Sequence, residues 1–346
     1  MLNKTQIEEI KKHLENSQNP LFFFDNDADG LCSFLILQRT MQRGKGVPVK
    51  SSPELNSSYL RKINELNPDA VFVLDKPKVS MDFIDGVKEK NLPLIWIDHH
   101  NVDVENEKKS KVYYYNSYPS SEPVTYISQK VFNRQEDLWI AMIGCVADAF
   151  MPDFAEKFSQ ENPEIFPMKK DMTAFDAIHT TELGKIIRML NFGLMDKTTN
   201  VILLMKLLIK SKNIYDIVEE NPKTKQFHRR YEELNYFLQK QINKAEKQKD
   251  SKSKLLLFTY SGEMSMSSEI SNAIYFKNKD KFIVVAYKRP EKINLSIRGK
   301  NARKIVLSAI ENIDGAVGGG HEEACGAMLP PDKLDDFKKN VEKLLN

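Results

Sequence analysis

The chain has few cysteines, little net charge and no long apolar run, and each shortage removes a class of protein. No apolar segment in its 346 residues approaches the roughly 20 needed to span a bilayer as a helix. The polar opening Met1-Leu2-Asn3-Lys4 does not read as a secretory leader, so no membrane partner is expected. Three cysteines (Cys32, Cys145 and Cys325) are an odd number without metal-type spacing, and they read as reduced thiols of a cytoplasmic protein. A formal charge of +3 is too small to argue for a nucleic-acid partner by itself, although lysine is concentrated between Lys240 and Lys254. Low-complexity segments and internal repeats are also missing. What remains is 41% apolar and 29% charged residues, an ordinary globular composition long enough for two domains.

Short, nearly all-apolar segments recur along the first third. Pro20–Phe24, Ala70–Leu74 and Leu94–Ile97 read as buried strands, and Val112–Tyr115 as another. Helical periodicity separates them at 31–41, 56–66 and 80–90, after an outlying helix at 3–16. Apolar strands alternating with helices predict a parallel sheet covered on both faces, an α/β fold. Helices are expected at 122–133 and 137–150, a loop from Met151 to about Pro167, and wholly helical structure over 182–248. The C-terminal part restarts with strands at 255–260, 282–287 and 293–298, and helices at 266–276, 302–312 and 331–345. A second, smaller α/β domain therefore begins near Asp250. The division expected is 1–190, a helical connector 191–252, and 253–346.

In parallel sheets functional groups gather beyond the carboxyl ends of the strands. Here the first strand runs into Asp25-Asn26-Asp27-Ala28-Asp29-Gly30, the second into Asp75, and the third into Asp98-His99-His100. Asp148 adds a carboxylate among small and apolar residues, where an inward, paired acid is expected. Asp27, Asp29, Asp75, Asp98 and Asp148 cannot cluster with His99 unneutralised, because mutual repulsion raises their proton affinity. Two divalent cations about 3.5–4 Å apart, bridged by one carboxylate, remove the conflict and suit phosphoryl transfer. A mixed Asp/His set without cysteine favours manganese, then magnesium or cobalt. The competing reading makes the acids helix N-caps, as Asp29 before Gly30-Leu31 can be. Capping accounts for one or two acids, not for one at every strand end.

The run Gly318-Gly319-Gly320-His321 fits neither a dinucleotide fingerprint nor a Walker loop. It reads either as a flexible turn or, with Arg298 ending a nearby strand, as a phosphate cradle.

Together these residues resemble the DHH phosphoesterase family, and more closely its RecJ and nanoRNase branch, in the manner of short archaeal-type RecJ homologues. Asp25–Gly30 is similar to the family's first motif, Asp75 to the second, Asp98-His99-His100 to the third and Asp148 to the fourth. Gly318–His321 and Ser296-Ile297-Arg298 resemble the associated C-terminal domain. The resemblance implies a first metal held by Asp27 and Asp75 and a second by Asp29, Asp75, His99 and Asp148, with Asp25 an additional candidate. It implies Asp98 as an orienting group, His100 near the phosphate, and Arg298, Gly318, Gly319, Gly320 and His321 as substrate ligands facing a cleft between the domains. Two departures stand out: many members carry a histidine where this chain has Phe23, and Lys76-Pro77 replaces the usual small turn after Asp75.

The function expected is manganese-dependent hydrolysis of single-stranded DNA or RNA, or of short oligonucleotides, from an end. The chain is too short for the extra nucleic-acid-binding domains of long RecJ enzymes, which favours short substrates. The alternatives are hydrolysis of a cyclic dinucleotide or small nucleotide, and a scaffold that binds replication or repair proteins. Tyr113, Tyr114, Tyr115 and Tyr118 read either as base-stacking or as packing residues.

Overall fold

The computed structural model describes residues 1–51 and 54–345. Its contacts divide it into two compact units, Met1–Tyr231 and Glu232–Asn346.

In the first unit, among the described residues, five strands form one parallel sheet: β1 (Pro20–Asp25), β2 (Lys45–Val49), β3 (Ala70–Leu74), β4 (Leu94–Asp98) and β5 (Tyr113–Asn116). The spatial order is β2-β1-β3-β4-β5. Successive strand residues serve different cores. Leu21, Phe23, Val71, Val73 and Trp96 enter one, while Phe22, Phe24, Phe72, Leu74, Ile95 and Ile97 enter the other. Both faces are thus covered, which is why these strands are apolar throughout rather than alternating. The order reverses between β1 and β3, and a doubly wound sheet opens its crevice at such a switch point.

Helix Ala28–Met41 starts directly over the end of β1. A Cβ on Gly30 would stand 2.4 Å from the Asp25 carbonyl oxygen, so only glycine lets the helix begin that close to the strand. Gly144 does similar work in helix Leu138–Ala147, where a Cβ would meet Thr125 Oγ1 at 2.2 Å.

Two expectations are corrected, and one strand goes unread in the sequence: Lys45–Val49 is an edge strand, although its lysine, glycine and Pro48 argue against one. The expected loop 151–167 contains the helix Ala155–Glu161. The span 182–248 is not wholly helical but divides into several helices, principally Glu182–Leu194, Thr198–Lys210 and Lys225–Lys247. Lys197, Ser211 and Asn221–Thr224 break the run.

The second unit carries a mixed sheet of β6 (Leu255–Tyr260), β7 (Phe282–Lys288), β8 (Ile293–Arg298), β9 (Val317–Gly320) and β10 (Ala324–Leu329), in the order β6-β7-β8-β10-β9. Only β6 and β7 run parallel. Helices Ala302–Ile310 and Leu334–Leu345 cover one face through Val306, Ala309, Phe337 and Val341. The glycine run is therefore not a free turn. Gly318–Gly320 form the edge strand of this sheet.

Candidate metal centre

The acids that follow β1, β3 and β4 meet at one edge of the parallel sheet, on either side of the switch point. Asp75 holds φ at 59°, a left-handed conformation that costs a non-glycine residue roughly 1–2 kcal/mol. Strain of this kind collects at functional sites. Its side chain is buried, and Oδ1 accepts no hydrogen bond although His99 Nε2 lies 3.2 Å away. His99 Nδ1 in turn stands 3.6 Å from Asp148 Oδ2. His100 Nδ1 is 2.8 Å from Asp98 Oδ1 and 3.9 Å from Asp75 Oδ1.

Two ligand groups follow from these positions: Asp75 with His99 and His100, and Asp29 with His99 and Asp148, the ligand atoms of each lying within 4.8 Å of one another. Asp27 and Asp25 enter neither group.

Capping and ligation turn out to share residues. Asp27, not Asp29, is the N-cap of helix Ala28–Met41, its Oδ1 accepting the Gly30 N–H at 2.9 Å. Asp29 caps a different helix. Its two oxygens accept the N–H groups of Val124 (3.0 Å) and Thr125 (2.9 Å), opening helix Val124–Phe132, whose N-cap Pro123 gives no side-chain cap. Each carboxylate oxygen has a second lone pair, so the cap leaves Asp29 able to ligate. Asp148 is not embedded in a helix as expected. It is the C-cap of Leu138–Ala147 and partly exposed, and an acid at the negative end of a helix calls for a cation.

The proton affinities record the crowding. Burial first, then the charges of Asp29, Asp27, Asp148 and Asp25, hold the Asp75 carboxyl well above the carboxylate range. Asp148, although partly open to solvent, is raised the same way, by the desolvation its surroundings impose and then by Asp29. Asp27 keeps an exposed edge, yet the surrounding protein and the charges of Asp25, Asp29 and Asp148 push it up to about 7. Burial lowers His99, which favours the neutral imidazole that a metal requires. For His100 burial also works downward, but the hydrogen bond and charge of Asp98 outweigh it and the net shift is upward. An unbonded, buried carboxylate oxygen amid raised acids and a neutral histidine fits a divalent cation, and nothing in the donor set opposes one.

Both departures at this edge have structural accounts. Phe23 is fully buried, edge-on to Tyr59 and Phe83 with ring centroids 5.9 and 5.4 Å away, and contributes to the core. Lys76 is buried with its Nζ 2.9 Å from Asp25 Oδ1.

In the second unit a cavity of about 380 Å³ is lined by Arg298 and His321 together with Ser265, Ser267 and Ser268. Arg298 donates to Asn272 Oδ1, Ser296 Oγ and the Ile297 carbonyl. Burial pulls its guanidinium down to about 10, which leaves it charged at neutral pH. Gly318, Gly319 and Gly320 do not line this cavity, whereas Gly326 of β10, opposite Gly319, does. The serines were not singled out in the sequence. Their clustering near the start of helix Ser267–Lys277 was the available signal.

The family models meet this arrangement at both ends. The DHH family N-terminal domain matches residues 21–150 and the DHHA1 domain matches 253–346. The chain belongs to the DHH family. DHH-superfamily members are metal-dependent phosphoesterases, and the strand-end acids of this DHH chain lie within the matched N-terminal region. No curated protein sequence matches it. Among solved structures it is similar to RecJ in complex with Mn2+ from Thermus thermophilus, at 13% identity and a TM-score of 0.70, over 99% of this chain and 55% of that one. It thus spans about half the length of that RecJ. It is also similar to an exonuclease RecJ bound to manganese (15%, TM-score 0.65, 99% and 95%) and to a pGpG-specific phosphodiesterase from Vibrio cholrae (13%, TM-score 0.53, 95% and 99%). At these identities the likeness is one of fold. No helix among the described residues is long and apolar enough to cross a membrane.

Proposed function

We propose that the chain is a manganese-dependent phosphodiesterase that trims single-stranded DNA or RNA, or short oligonucleotides, from one end. The observation that carries this reading is Asp75 Oδ1, a buried carboxylate oxygen with no hydrogen bond, set among His99, His100 and the raised acids. Asp27, Asp29, Asp75, His99 and Asp148 would hold two ions, Mn2+ before Mg2+ or Co2+. Divalent ions bound there supply an activated water and neutralise charge on the phosphoryl oxygens. Asp98 keeps His100 oriented and protonated, and His100 delivers a proton to the departing oxygen. Arg298 and His321 bind a substrate phosphate, with the neighbouring serine hydroxyls as further donors. Residues 1–190 carry the chemistry, 191–252 connect, and 253–346 bind substrate, in a cytoplasmic enzyme.

The manganese-bound exonuclease RecJ and the pGpG-specific phosphodiesterase both match nearly end to end, so chain length does not separate oligonucleotide from dinucleotide substrates. Dinucleotides therefore belong in the test. A panel of short DNA, RNA and dinucleotides, labelled at each end in turn, is digested with Mn2+, Mg2+ or chelator. Stepwise products with Mn2+ and none with chelator support the reading, and the label position gives the polarity. An inert panel with metal-loaded protein rejects it in favour of a binding scaffold.

A further inference from the structure

Lys76 follows the strained Asp75 and is almost wholly buried, its side chain 4% exposed. Its stem is fixed at both ends. The backbone carbonyl accepts the Trp96 Nε1–H at 2.8 Å, while Nζ reaches Asp25 Oδ1 at 2.9 Å and the Ser51 carbonyl at 3.1 Å. The same Asp25 oxygen accepts the Asn26 N–H at 2.9 Å. Two donors thus converge on one oxygen of Asp25, Oδ1, and tie that carboxylate to the end of the neighbouring strand.

We propose that Lys76 is a positioning residue that holds Asp25 out of the metal-ligand set and contributes a fixed positive charge to the acid cluster. The inference rests on the reading of the acids as a divalent-metal site. A buried ammonium persists only with a partner, and this one bridges the ends of β1 and β3 across the switch point. Asp25 adds to the repulsion felt by Asp27 and Asp75, so pairing it relieves the metal-free protein. The same cation repels incoming divalent ions. The chain therefore gives up metal affinity for a site that stays assembled without metal.

The test is a double-mutant cycle on the full chain, measuring Mn2+ affinity by titration calorimetry and thermal unfolding in chelator. Lys76→Met binds Mn2+ about tenfold tighter, the effect of one charge a few ångströms away, and melts lower in chelator than the unmodified chain. Asp25→Asn weakens Mn2+ binding by a similar factor without removing an ion. The double variant binds within about twofold of the unmodified chain, because the charge is restored. Lys76→Arg keeps the charge and the affinity. Loss of an ion in Asp25→Asn identifies Asp25 as a ligand and overturns the proposal, as does unchanged or weaker binding by Lys76→Met. If the unmodified chain binds no Mn2+, the metal reading fails. The pair is then judged in chelator alone, where non-additive melting shifts support the fixed pairing and additive ones refute it.

Discussion

His100 Nδ1 stands 2.8 Å from Oδ1 of Asp98, and Asp98 is fully buried. The imidazole is therefore held by a carboxylate that water does not screen, and its proton affinity rises despite its own burial. Since Nδ1 is committed to Asp98, the proton transfer proposed for His100 would use Nε2. Asp98→Asn keeps the hydrogen-bond acceptor and removes the charge. The alkaline limb of the pH–rate profile should then move to lower pH. An unmoved limb excludes His100 as the proton donor.

Without metal, the acid cluster makes stability fall as pH rises. Asp27, Asp75 and Asp148 all carry raised proton affinities in the folded state, Asp27 up to about 7 against 3.8 for an ordinary aspartate. Between those values the folded chain holds more protons than the unfolded one, so the slope of stability with pH is negative. His100 has the same sign, since its raised affinity stabilises below its ordinary 6.5 and the benefit disappears as pH passes the raised value. His99, lowered by burial, opposes this, one group against three acids and His100. In chelator the melting temperature is expected to decline from about pH 5 to pH 8, and Mn2+ should flatten the decline. A rising curve in chelator contradicts the crowding.

Arg39 carries a separate structural load. Its Nε is 2.6 Å from the fully buried Asp137, and Nη1 donates to the carbonyls of Leu208, Ile209 and Ser211 at the end of helix Thr198–Lys210. Arg39→Ala leaves a buried carboxylate without this partner and strips that helix end of its donor. A loss of about 3–5 kcal/mol in urea unfolding is expected, and a loss under about 1 kcal/mol would place the pair with surface ion pairs.

Arg298 should act on binding rather than on chemistry. Losing a charged donor to phosphate costs about 1.5–3 kcal/mol, so Arg298→Ala should raise KM roughly ten- to a hundredfold for a phosphate-ended oligonucleotide while kcat changes little. A hydroxyl-ended substrate should lose less. Equal losses for both ends would show that Arg298 does not read the terminal phosphate.

Much of the parallel sheet was legible because apolar strands buried on both faces leave a continuous signature, and because each ended in an acid. β2 was not, since an edge strand half open to solvent tolerates the Lys45, Gly46 and Pro48 that usually mark a turn. β9 escaped for a similar reason, its glycines giving no side-chain pattern. The convergence of the acids after β1 and β3 with His99 followed from the strand-end rule, whereas Asp148, at a helix end, entered through its apolar neighbours and the family resemblance. Two relationships followed from neither. The cap that Asp29 gives to Val124 and Thr125 spans 95 residues in sequence, and the reach of Lys76 back to Asp25 spans 51. Local patterning holds no trace of either.

Asp75 is proposed as a ligand to both ions of a hydrolytic site, and Asp75→Asn is the most direct probe of that role because asparagine tolerates the left-handed backbone there. Equilibrium dialysis against Mn2+, paired with hydrolysis of an end-labelled oligonucleotide, gives both readouts on one preparation. The unmodified protein should bind two ions per chain and cleave the oligonucleotide with Mn2+. The variant should bind fewer ions and lose cleavage by at least about a thousandfold. Asp75→Asn that keeps both ions and full activity would contradict that role.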